Sequence, residues 1–303
     1  MSNLKMPSHF DYCINLLKGL HRAIIRKALG RDVYCTNYYN HSPIKSLEEA
    51  NNILFSAINA KNPFMAGRFG DGELRSIVCY LNKKMGLRKS YPEYLKVAIT
   101  RNAGLFPMSE EVIDRFAELM LECCSSVDVL AVWFNLLEDY VYYHFGPKQQ
   151  TCIYLKSLEP FWFETPWTSA LEGKRVLVIH PFEETIKQQY QKREKLFINP
   201  RILPDFELQT LRAVQSIGGG TDQFSSWFDA LDWMYNQALS IDFDVALIGC
   251  GAYGFPLAAK IKKNGKIAIH MGGVTQMLFG IKGARWDNRP EYAALYNEHW
   301  CRP

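Results

Sequence analysis

Two acidic residues stand one residue apart in the segment Arg-Phe-Gly-Asp-Gly-Glu at positions 68–73, directly after a short apolar run. In an extended backbone, side chains two residues apart point to the same side, whereas on a helix they diverge by about 200°. The glycines that flank Asp71 allow an extended turn at little cost in conformational free energy. We therefore expect Asp71 and Glu73 to bind a divalent cation, Mg²⁺ or Mn²⁺, with water and phosphate oxygens as the other ligands.

Two more residues of this segment suit the same ligand. Arg68 is placed to pair with phosphates or to hold one of the carboxylates, and Gly70 lets a ligand approach the main chain closely. Asp-Gly is also a common dipeptide of solvated turns, which is the alternative interpretation. The apolar run before the acids favours a site at the end of a strand.

A glycine pattern follows another apolar run late in the chain. Residues 249–254 read Gly-Cys-Gly-Ala-Tyr-Gly, so Gly249, Gly251, Tyr253 and Gly254 are candidate phosphate- or nucleotide-binding residues at a strand-to-helix turn. A dinucleotide site would require an acidic residue about 20 positions later to bind the ribose. Positions 255–286 contain no Asp or Glu, which argues against NAD and against S-adenosylmethionine.

A second glycine turn follows the next predicted strand. It places His270, Gly272, Gly273 and Thr275 where an anionic group, such as a diphosphate, could lie across adjacent strand ends. The alternative for both turns is that the glycines only permit tight packing of strand and helix, with His270 as a structural histidine.

A third predicted strand ends at His180 and leads into Pro-Phe-Glu-Glu. His180 and Glu183 are therefore candidates for general base chemistry or for acceptor binding. Glu184 and Asp205 are further candidates for the base, and the sequence does not choose among the four.

Short apolar runs alternate with helical stretches from residue 64 onward. Alternation of this kind predicts an α/β fold, Rossmann-like, in which a mostly parallel sheet has helices on both faces. Ligands bind such sheets at the carboxyl ends of the strands, where the residues above lie. The predicted strands are 64–68, 127–134, 175–180, 243–248 and 266–270, and the predicted helices are 46–60, 72–82, 109–123, 183–196, 225–239 and 256–263.

Residues 1–45 are expected to form an N-terminal extension, with an amphipathic helix over 9–29 and a turn-rich linker over 31–45. A capping box at Ser46 and Glu49 opens the main domain, residues 46–303. Residues 1–31 contain six Lys or Arg and one Asp. The basic helix either lies on an anionic membrane surface or packs on the body or a partner subunit.

Composition excludes several classes of protein. The chain has 303 residues, 48% hydrophobic and 22% charged, which is typical of a globular enzyme and not of disordered, collagenous or coiled-coil chains. Beyond the N-terminal segment it is nearly neutral, so a sequence-independent nucleic-acid binder is not expected. Eight cysteines without a C-x-x-C pair, and the lack of a long apolar run or signal-like segment, predict a cytoplasmic protein with reduced thiols.

These motifs together resemble one family. The segment at 68–73, Asp-Val-Ala-Leu-Ile-Gly-Cys-Gly-Ala-Tyr-Gly at 244–254, Ala-Ile-His-Met-Gly-Gly-Val-Thr-Gln at 268–276 and Phe-Gly-Ile-Lys-Gly-Ala-Arg-Trp at 279–286 are similar to the bacterial GT-D-type glycosyltransferases, first catalogued as a domain of unknown function. The resemblance spans about residues 52–287 and does not cover the basic N-terminal helix.

The resemblance implies a metal-dependent transferase that uses a nucleotide-sugar donor, a UDP-sugar, with Asp71 and Glu73 at the metal. It also implies that Arg68, Gly70 and the late glycine turns surround the nucleotide diphosphate. Family members build surface glycans or glycosylate adhesins, so the expected acceptor is a glycan or glycoconjugate. This activity fits a cytoplasmic enzyme near the inner membrane, and a homo-oligomer is compatible with it.

Two other functions stay open from the sequence. The Gly-Cys-Gly turn would also suit an S-adenosylmethionine-dependent methyltransferase. A catalytically inert member could bind glycans or act as a scaffold through the helix at 9–29.

Overall fold

The structure, a computed structural model, describes residues 4–29, 38–39 and 42–303. Eight parallel strands form one sheet in the order β2-β5-β4-β3-β9-β8-β6-β7, and β1 adds a short antiparallel pair at the β2 edge. The strands are β1 (Tyr38–Tyr39), β2 (Ser42–Lys45), β3 (Phe64–Gly67), β4 (Val129–Val132), β5 (Thr151–Tyr154), β6 (Arg175–His180), β7 (Glu207–Arg212), β8 (Val245–Ile248) and β9 (Ile267–His270).

Helices cover both faces of this sheet, as the sequence predicts, which confirms the α/β fold class. One face carries α1, α3, α4, α5, α6, α9 and α10, and the other carries α2, α7, α8, α11, α12 and α13. Their bounds are α1 (His9–Leu29), α2 (Leu47–Ala60), α3 (Asp71–Lys84), α4 (Glu93–Ala98), α5 (Glu110–Cys124), α6 (Glu138–Phe145), α7 (Glu183–Tyr190), α8 (Arg193–Leu196), α9 (Trp227–Leu239), α10 (Gly254–Lys263), α11 (Thr275–Leu278), α12 (Ala284–Asp287) and α13 (Pro290–Ala293).

The strands divide their side chains between two hydrophobic layers. In β8, Ala246 and Ile248 pack on one face, while Val245 and Leu247 pack on the other. Because both faces are covered, the central strands consist of continuous apolar residues, as expected for a parallel sheet. The chain adds strands on one side of β3 through β4 and β5, then crosses to the other side for β6. This reversal opens a crevice at the carboxyl ends beside β3, where α/β sheets bind ligands.

The predicted strands are all present, and β6 has the predicted bounds. Four strands were missed: β1, β2, β5 and β7. The prediction of a linker over 31–45 is wrong at its end, because Ser42–Lys45 forms β2 and pairs in parallel with β5. The run Ser-Pro-Ile-Lys contains a proline and one strong strand former, so only its pairing with β5 identifies it. The rest of that prediction falls mainly on residues 31–37 and 40–41, outside the described residues.

Helix α1 has the predicted bounds but packs through an unexpected face. Tyr12 is fully buried and donates a hydrogen bond to Asn82 at 2.9 Å, and Arg22 pairs with Asp139 at 2.9 Å. The apolar residues at 10, 17 and 24 are instead exposed, at 76%, 67% and 66%. The helix therefore packs on the body, as one of the two expectations had it, and presents an apolar stripe outward together with the exposed Lys18. No helix in the described part of the chain is long and apolar enough to cross a membrane.

Helix α2 begins with the capping box that the sequence predicts. The Ser46 hydroxyl accepts a hydrogen bond from the Glu49 N–H at 3.2 Å, and the Glu49 carboxylate accepts one from the Ser46 N–H at 2.9 Å. The two bonds satisfy backbone N–H groups that have no partner within the helix.

We predict that Ser46→Ala lowers the free energy of unfolding by about 1 kcal/mol, because an N-cap acceptor is lost. Ser46→Asp keeps an acceptor at the cap and should remain close to wild type. Urea denaturation of the three proteins measures the difference. Equal stability of Ser46→Ala and wild type would show that the cap does not stabilise the fold.

Candidate active site

A cavity of about 420 Å³ lies over the carboxyl ends of β3, β4, β6, β8 and β9. It is the crevice that the strand order predicts, and it brings the acidic segment and both glycine turns together although they are distant in sequence. The predicted site residues that line it are Arg68, Gly70, Asp71, Glu73, His180, Gly249, Gly251 and Gly273.

Arg68 is the centre of this cavity. Its guanidinium lies over the Trp133 ring, 4.5 Å from the ring centroid, and donates one hydrogen bond to the Phe69 carbonyl at 3.2 Å. Its Nε is buried without a hydrogen-bond partner, and no carboxylate of the described residues lies within ion-pairing distance. Burial lowers the pKa of Arg68, and the charge of Arg285 lowers it further, whereas the charges of Glu73 and Glu138 oppose that effect. A buried cation without a direct ion pair is costly, and a bound anion would stabilise it.

Gly272 makes room for this arginine. Its φ of +69° is in the left-handed region, and a Cβ there would lie 2.7 Å from the Arg68 Nε. A side chain at this position would therefore both strain the backbone and displace the guanidinium. Gly272 thus shapes the cavity from behind, although it does not line it.

Asp71 and Glu73 belong to the first turn of α3, so the expectation of an extended turn is wrong. Carboxylates in the first turn are favoured by the helix dipole, which explains why the helix begins as early as Asp71. The two side chains still reach one cavity because the amino end of α3 faces it. The Glu73 carboxylate folds back against Gly70, where any side chain would collide with it. Asp71 remains half-exposed and pairs with Arg75 at 2.9 Å.

The two carboxylates are close enough to influence each other. Burial raises the pKa of Glu73, Arg68 lowers it, and the negative charge of Asp71 raises it further. Within the described residues no group of three or more His, Cys, Asp or Glu side chains is arranged to hold a metal ion. Magnesium sites commonly use one or two carboxylates and take their other ligands from water and substrate phosphates. The pair therefore fits a cation that arrives with a phosphate-bearing ligand.

His180 lines the cavity as a buried, neutral imidazole. Its Nδ1 accepts a hydrogen bond from the Phe182 N–H at 3.0 Å, which places the ring proton on Nε2. Burial lowers the pKa of His180 to about 4. The ring is therefore suited to donating a hydrogen bond from Nε2, and its Nδ1 is not free to accept a substrate proton.

The other predicted site residues do not line the cavity. Glu183 accepts a hydrogen bond from the Thr210 hydroxyl at 2.7 Å and pairs with Lys187 at 3.0 Å. Burial alone would raise the pKa of Glu183, but these partners lower it. Tyr253 stacks on Trp227 at 4.5 Å, and its hydroxyl is 2.7 Å from the Ser216 hydroxyl.

The remaining three, Gly254, His270 and Thr275, pack against the two glycine turns from within the fold. His270 is buried beside Gly254, and burial, aided by the positive charge of Arg68, lowers its pKa to about 3. The Thr275 hydroxyl donates to the Gly272 carbonyl at 2.8 Å. These contacts favour the structural interpretation of His270, Thr275 and Gly254.

Several residues of the cavity were missed by the sequence analysis. They come from the segment after β4, from α4 and the turn that follows it, and from the end of the chain: Trp133, Tyr94, Asn102, Gln276 and Arg285. Trp133, Gln276 and Arg285 had usable signals, because the first lies near the end of the predicted strand 127–134 and the other two lie in motifs of the family resemblance. Tyr94 and Asn102 lie in helical turns that no pattern predicted.

A larger, mainly apolar groove of about 650 Å³ lies between α1 and α3. It meets the cavity at Asp71, Arg75 and Tyr94. Apolar side chains of α1 and α3 line it together with Phe134 and Leu136. The smaller cavity contains the buried arginine and both carboxylates, so we assign the chemistry there.

Comparison with known proteins gives no match among family profiles or curated proteins. Two solved structures are similar to this chain. One, described as the highly conserved domain of unknown function 1792 with a distinct glycosyltransferase fold, is 12% identical, with a TM-score of 0.47 over 86% of this chain and 85% of that chain. The other, a selenomethionine-substituted structure of the same domain, is 12% identical, with a TM-score of 0.41 over 85% of this chain and 99% of that chain.

Identity and TM-scores this low do not assign an activity. The functional argument therefore depends on the site itself.

We predict that His180 and His270 stay neutral from pH 8 to pH 5.5, because burial holds both pKa values well below 6.5. Their protonation at lower pH opposes folding, so stability is lost as the pH falls below about 6.5, the pKa in the unfolded chain. Histidine NMR titration, with assignments from His180→Gln and His270→Gln, measures this directly. A midpoint near 6.5 for either ring would contradict the burial described here.

Proposed function

We propose that this protein is a divalent-metal-dependent glycosyltransferase that moves a sugar from a nucleotide-sugar donor, a UDP-sugar, to a glycan or glycoconjugate acceptor. One observation carries the proposal. A buried arginine, with an unpartnered Nε and no direct ion pair among the described residues, lies in a single cavity with two carboxylates and two glycine turns. A cation-bound diphosphate would compensate all of these charges at once.

Arg68 would hold the diphosphate through charge-assisted hydrogen bonds, since its free Nε and the planar guanidinium match phosphate oxygens. Asp71 and Glu73 would hold Mn²⁺ or Mg²⁺. When bound, the cation supplies Lewis-acid assistance to the leaving nucleoside diphosphate. Gly249 and Gly251 follow β8 and line the cavity: a side chain at Gly249 would collide with His180 and Thr275, whereas the space beside Gly251 is open, so a ligand can approach the main chain at Gly251.

These contacts indicate what the protein's own residues would do during the transfer. Arg68 neutralises the negative charge that develops on the diphosphate as the bond to the sugar breaks. The Nε2–H of His180 can donate to a donor oxygen in the same cavity. An acceptor hydroxyl must lose a proton as it attacks, so the transfer also requires a base.

We predict that Glu73→Gln lowers metal-dependent hydrolysis of the preferred nucleotide sugar by roughly 100-fold or more, because a charged ligand of the cation is lost. Asp71→Asn should have a similar effect. The assay measures nucleoside diphosphate release with Mn²⁺ across a panel of nucleotide sugars. Glu184→Gln, an exposed carboxylate outside the cavity, is the matched control and should keep wild-type rates.

Wild-type rates in both Asp71→Asn and Glu73→Gln would contradict the metal site. Calorimetry supplies an independent check, with UDP and Mn²⁺ in one titration and S-adenosylmethionine in another. Binding of S-adenosylmethionine alone would favour the methyltransferase. Absence of turnover with every nucleotide sugar would favour an inert binding protein.

We further propose that α1 contacts an anionic membrane surface, which would place the enzyme peripherally at the cytoplasmic face of the inner membrane. Its outward stripe consists of Phe10, Leu17, Leu20 and Ile24, with 42% or more of each side chain exposed. Lys18 and His21 are exposed on the same helix. Apolar burial and cationic attraction together are the usual basis of such binding.

We predict that the double variant Leu17→Glu with Ile24→Glu no longer floats with vesicles that contain phosphatidylglycerol. Membrane binding would force the two introduced carboxylates into the apolar part of the lipid layer. The matched control, Leu47→Glu, changes an exposed leucine on α2 and should leave flotation intact. Unchanged flotation of the double variant would contradict the proposal. If the variant instead converts a dimer into a monomer in gel filtration, the stripe is a subunit interface.

A further inference from the structure

A second cavity, of about 300 Å³, adjoins the first. The two cavities share Arg68, Trp133, Gly273 and Arg285, so they meet at the buried arginine. The second cavity extends over the ends of β4, β5 and β9, and α12 and α13 close it. No residue that the sequence analysis assigned to catalysis lies in this second cavity.

Glu159 is a buried carboxylate that lines this second cavity, and only 7% of the residue is exposed. Its Oε2 accepts two hydrogen bonds, from the Trp162 indole N–H at 2.7 Å and from the Tyr292 hydroxyl at 2.7 Å. These bonds fix the carboxylate through one oxygen and leave Oε1 without a bonded partner in the described residues. Fixing one oxygen orients the other, as a catalytic base requires.

The walls around Glu159 suit a sugar ring. Trp286 and Tyr292 line the cavity, and flat aromatic faces pack well against the C–H surfaces of sugars. Cationic side chains lie over these rings, with Arg285 4.9 Å from the Trp286 centroid and Arg289 4.4 Å from the Tyr292 centroid. The cavity therefore combines aromatic rings, each with a cation over one face, with a carboxylate and cationic groups that can hydrogen-bond to hydroxyls, a composition that suits a carbohydrate subsite.

Elimination points to the same residue. The residues that line the two cavities include three carboxylates, Asp71, Glu73 and Glu159, and the first two are occupied by the cation in the proposed function. Among the bases considered from the sequence, Glu183 and Glu184 pair with Lys187 outside the cavities. Asp205 is exposed and pairs with Arg193 at 3.0 Å.

We propose that the second cavity binds the sugar of the acceptor and that Glu159 is the general base of the transfer. This inference rests on the proposed function. The Glu159 carboxylate takes the proton of the acceptor hydroxyl while the hydroxyl oxygen bonds to the anomeric carbon of the donor. The bond from that carbon to the diphosphate oxygen breaks, and its electron pair leaves with the nucleoside diphosphate beside Arg68. When no acceptor is present, a water molecule takes the place of the hydroxyl.

Burial raises the pKa of Glu159, although hydrogen bonds from Trp162 and Tyr292 and the charges of Arg289 and Lys156 oppose the shift. A base with a raised pKa is a stronger proton acceptor once ionised. Activity should therefore increase with pH as this carboxyl loses its proton, and the acidic limb of the rate profile should belong to Glu159.

The experiment measures Mn²⁺-dependent hydrolysis of the preferred UDP-sugar, with UDP affinity measured by calorimetry on the same preparations. Glu159→Gln keeps an oxygen that can accept from Trp162 and Tyr292 but cannot take a proton. We expect roughly a 100-fold or greater loss of kcat, loss of the acidic limb and unchanged UDP affinity. Glu291→Gln, which changes an exposed carboxylate beside the same cavity, is the matched control and should keep wild-type values.

A second variant tests the assignment in case Glu159→Gln does not fold. Glu159→Ala should lose hydrolysis and regain part of it with added formate, which replaces the missing carboxylate. A kcat within threefold of wild type in Glu159→Gln, or no rescue of Glu159→Ala, would overturn the assignment. Loss of UDP affinity in Glu159→Gln would also overturn it, because the cavity would then hold the nucleotide. Absence of hydrolysis in the wild type itself would instead contradict the proposed function.

Discussion

The burial of the Arg68 guanidinium at the end of the central strand is the constraint on which the rest of the site depends. Its Nε has no partner, and no carboxylate of the described residues forms an ion pair with it. Trp133 covers one face of the cation, Gly272 makes room behind it, and Glu73 approaches from the first turn of α3. A buried cation without a direct ion pair destabilises the fold, and a bound anion would offset that cost.

The location of this arginine follows from the parallel sheet. All strands from β2 to β9 run in one direction, so the segments that follow them meet at one edge. The reversal of strand order beside β3 separates those segments enough to form two adjoining cavities. Arg68 lies where the two cavities meet. In this position its guanidinium would contact the diphosphate while the donor and the acceptor lie on different sides of it.

The sequence predicts the central strands and part of the cavity lining, because periodicity and glycine turns are local signals. Apolar runs identified five of the strands, and residues after three of them, Arg68, His180 and Gly249, line the cavity as expected. The conformation of the acidic pair was not predictable from its spacing, because flanking glycines suit a turn as well as a helix start. The structure shows a helix, and Glu73 reaches the cavity by folding back over Gly70.

Other features depended on contacts that no local pattern encodes. Glu159 stands in an irregular segment between two short helical turns, and only its partners Trp162 and Tyr292 reveal a fixed carboxylate. The apolar spacing of α1 predicted the helix but not its orientation. Tyr12, Gly19 and Arg22 make the contacts with the body, so the apolar stripe faces outward.

A crystal structure with UDP and Mn²⁺, with data collected at the manganese absorption edge, tests the central claim most directly. The account predicts one anomalous peak that contacts the carboxylates of Asp71 and Glu73, with the diphosphate within hydrogen-bonding distance of the Arg68 Nε. A manganese peak away from this pair, or a diphosphate bound elsewhere while Arg68 remains without a partner, would contradict it.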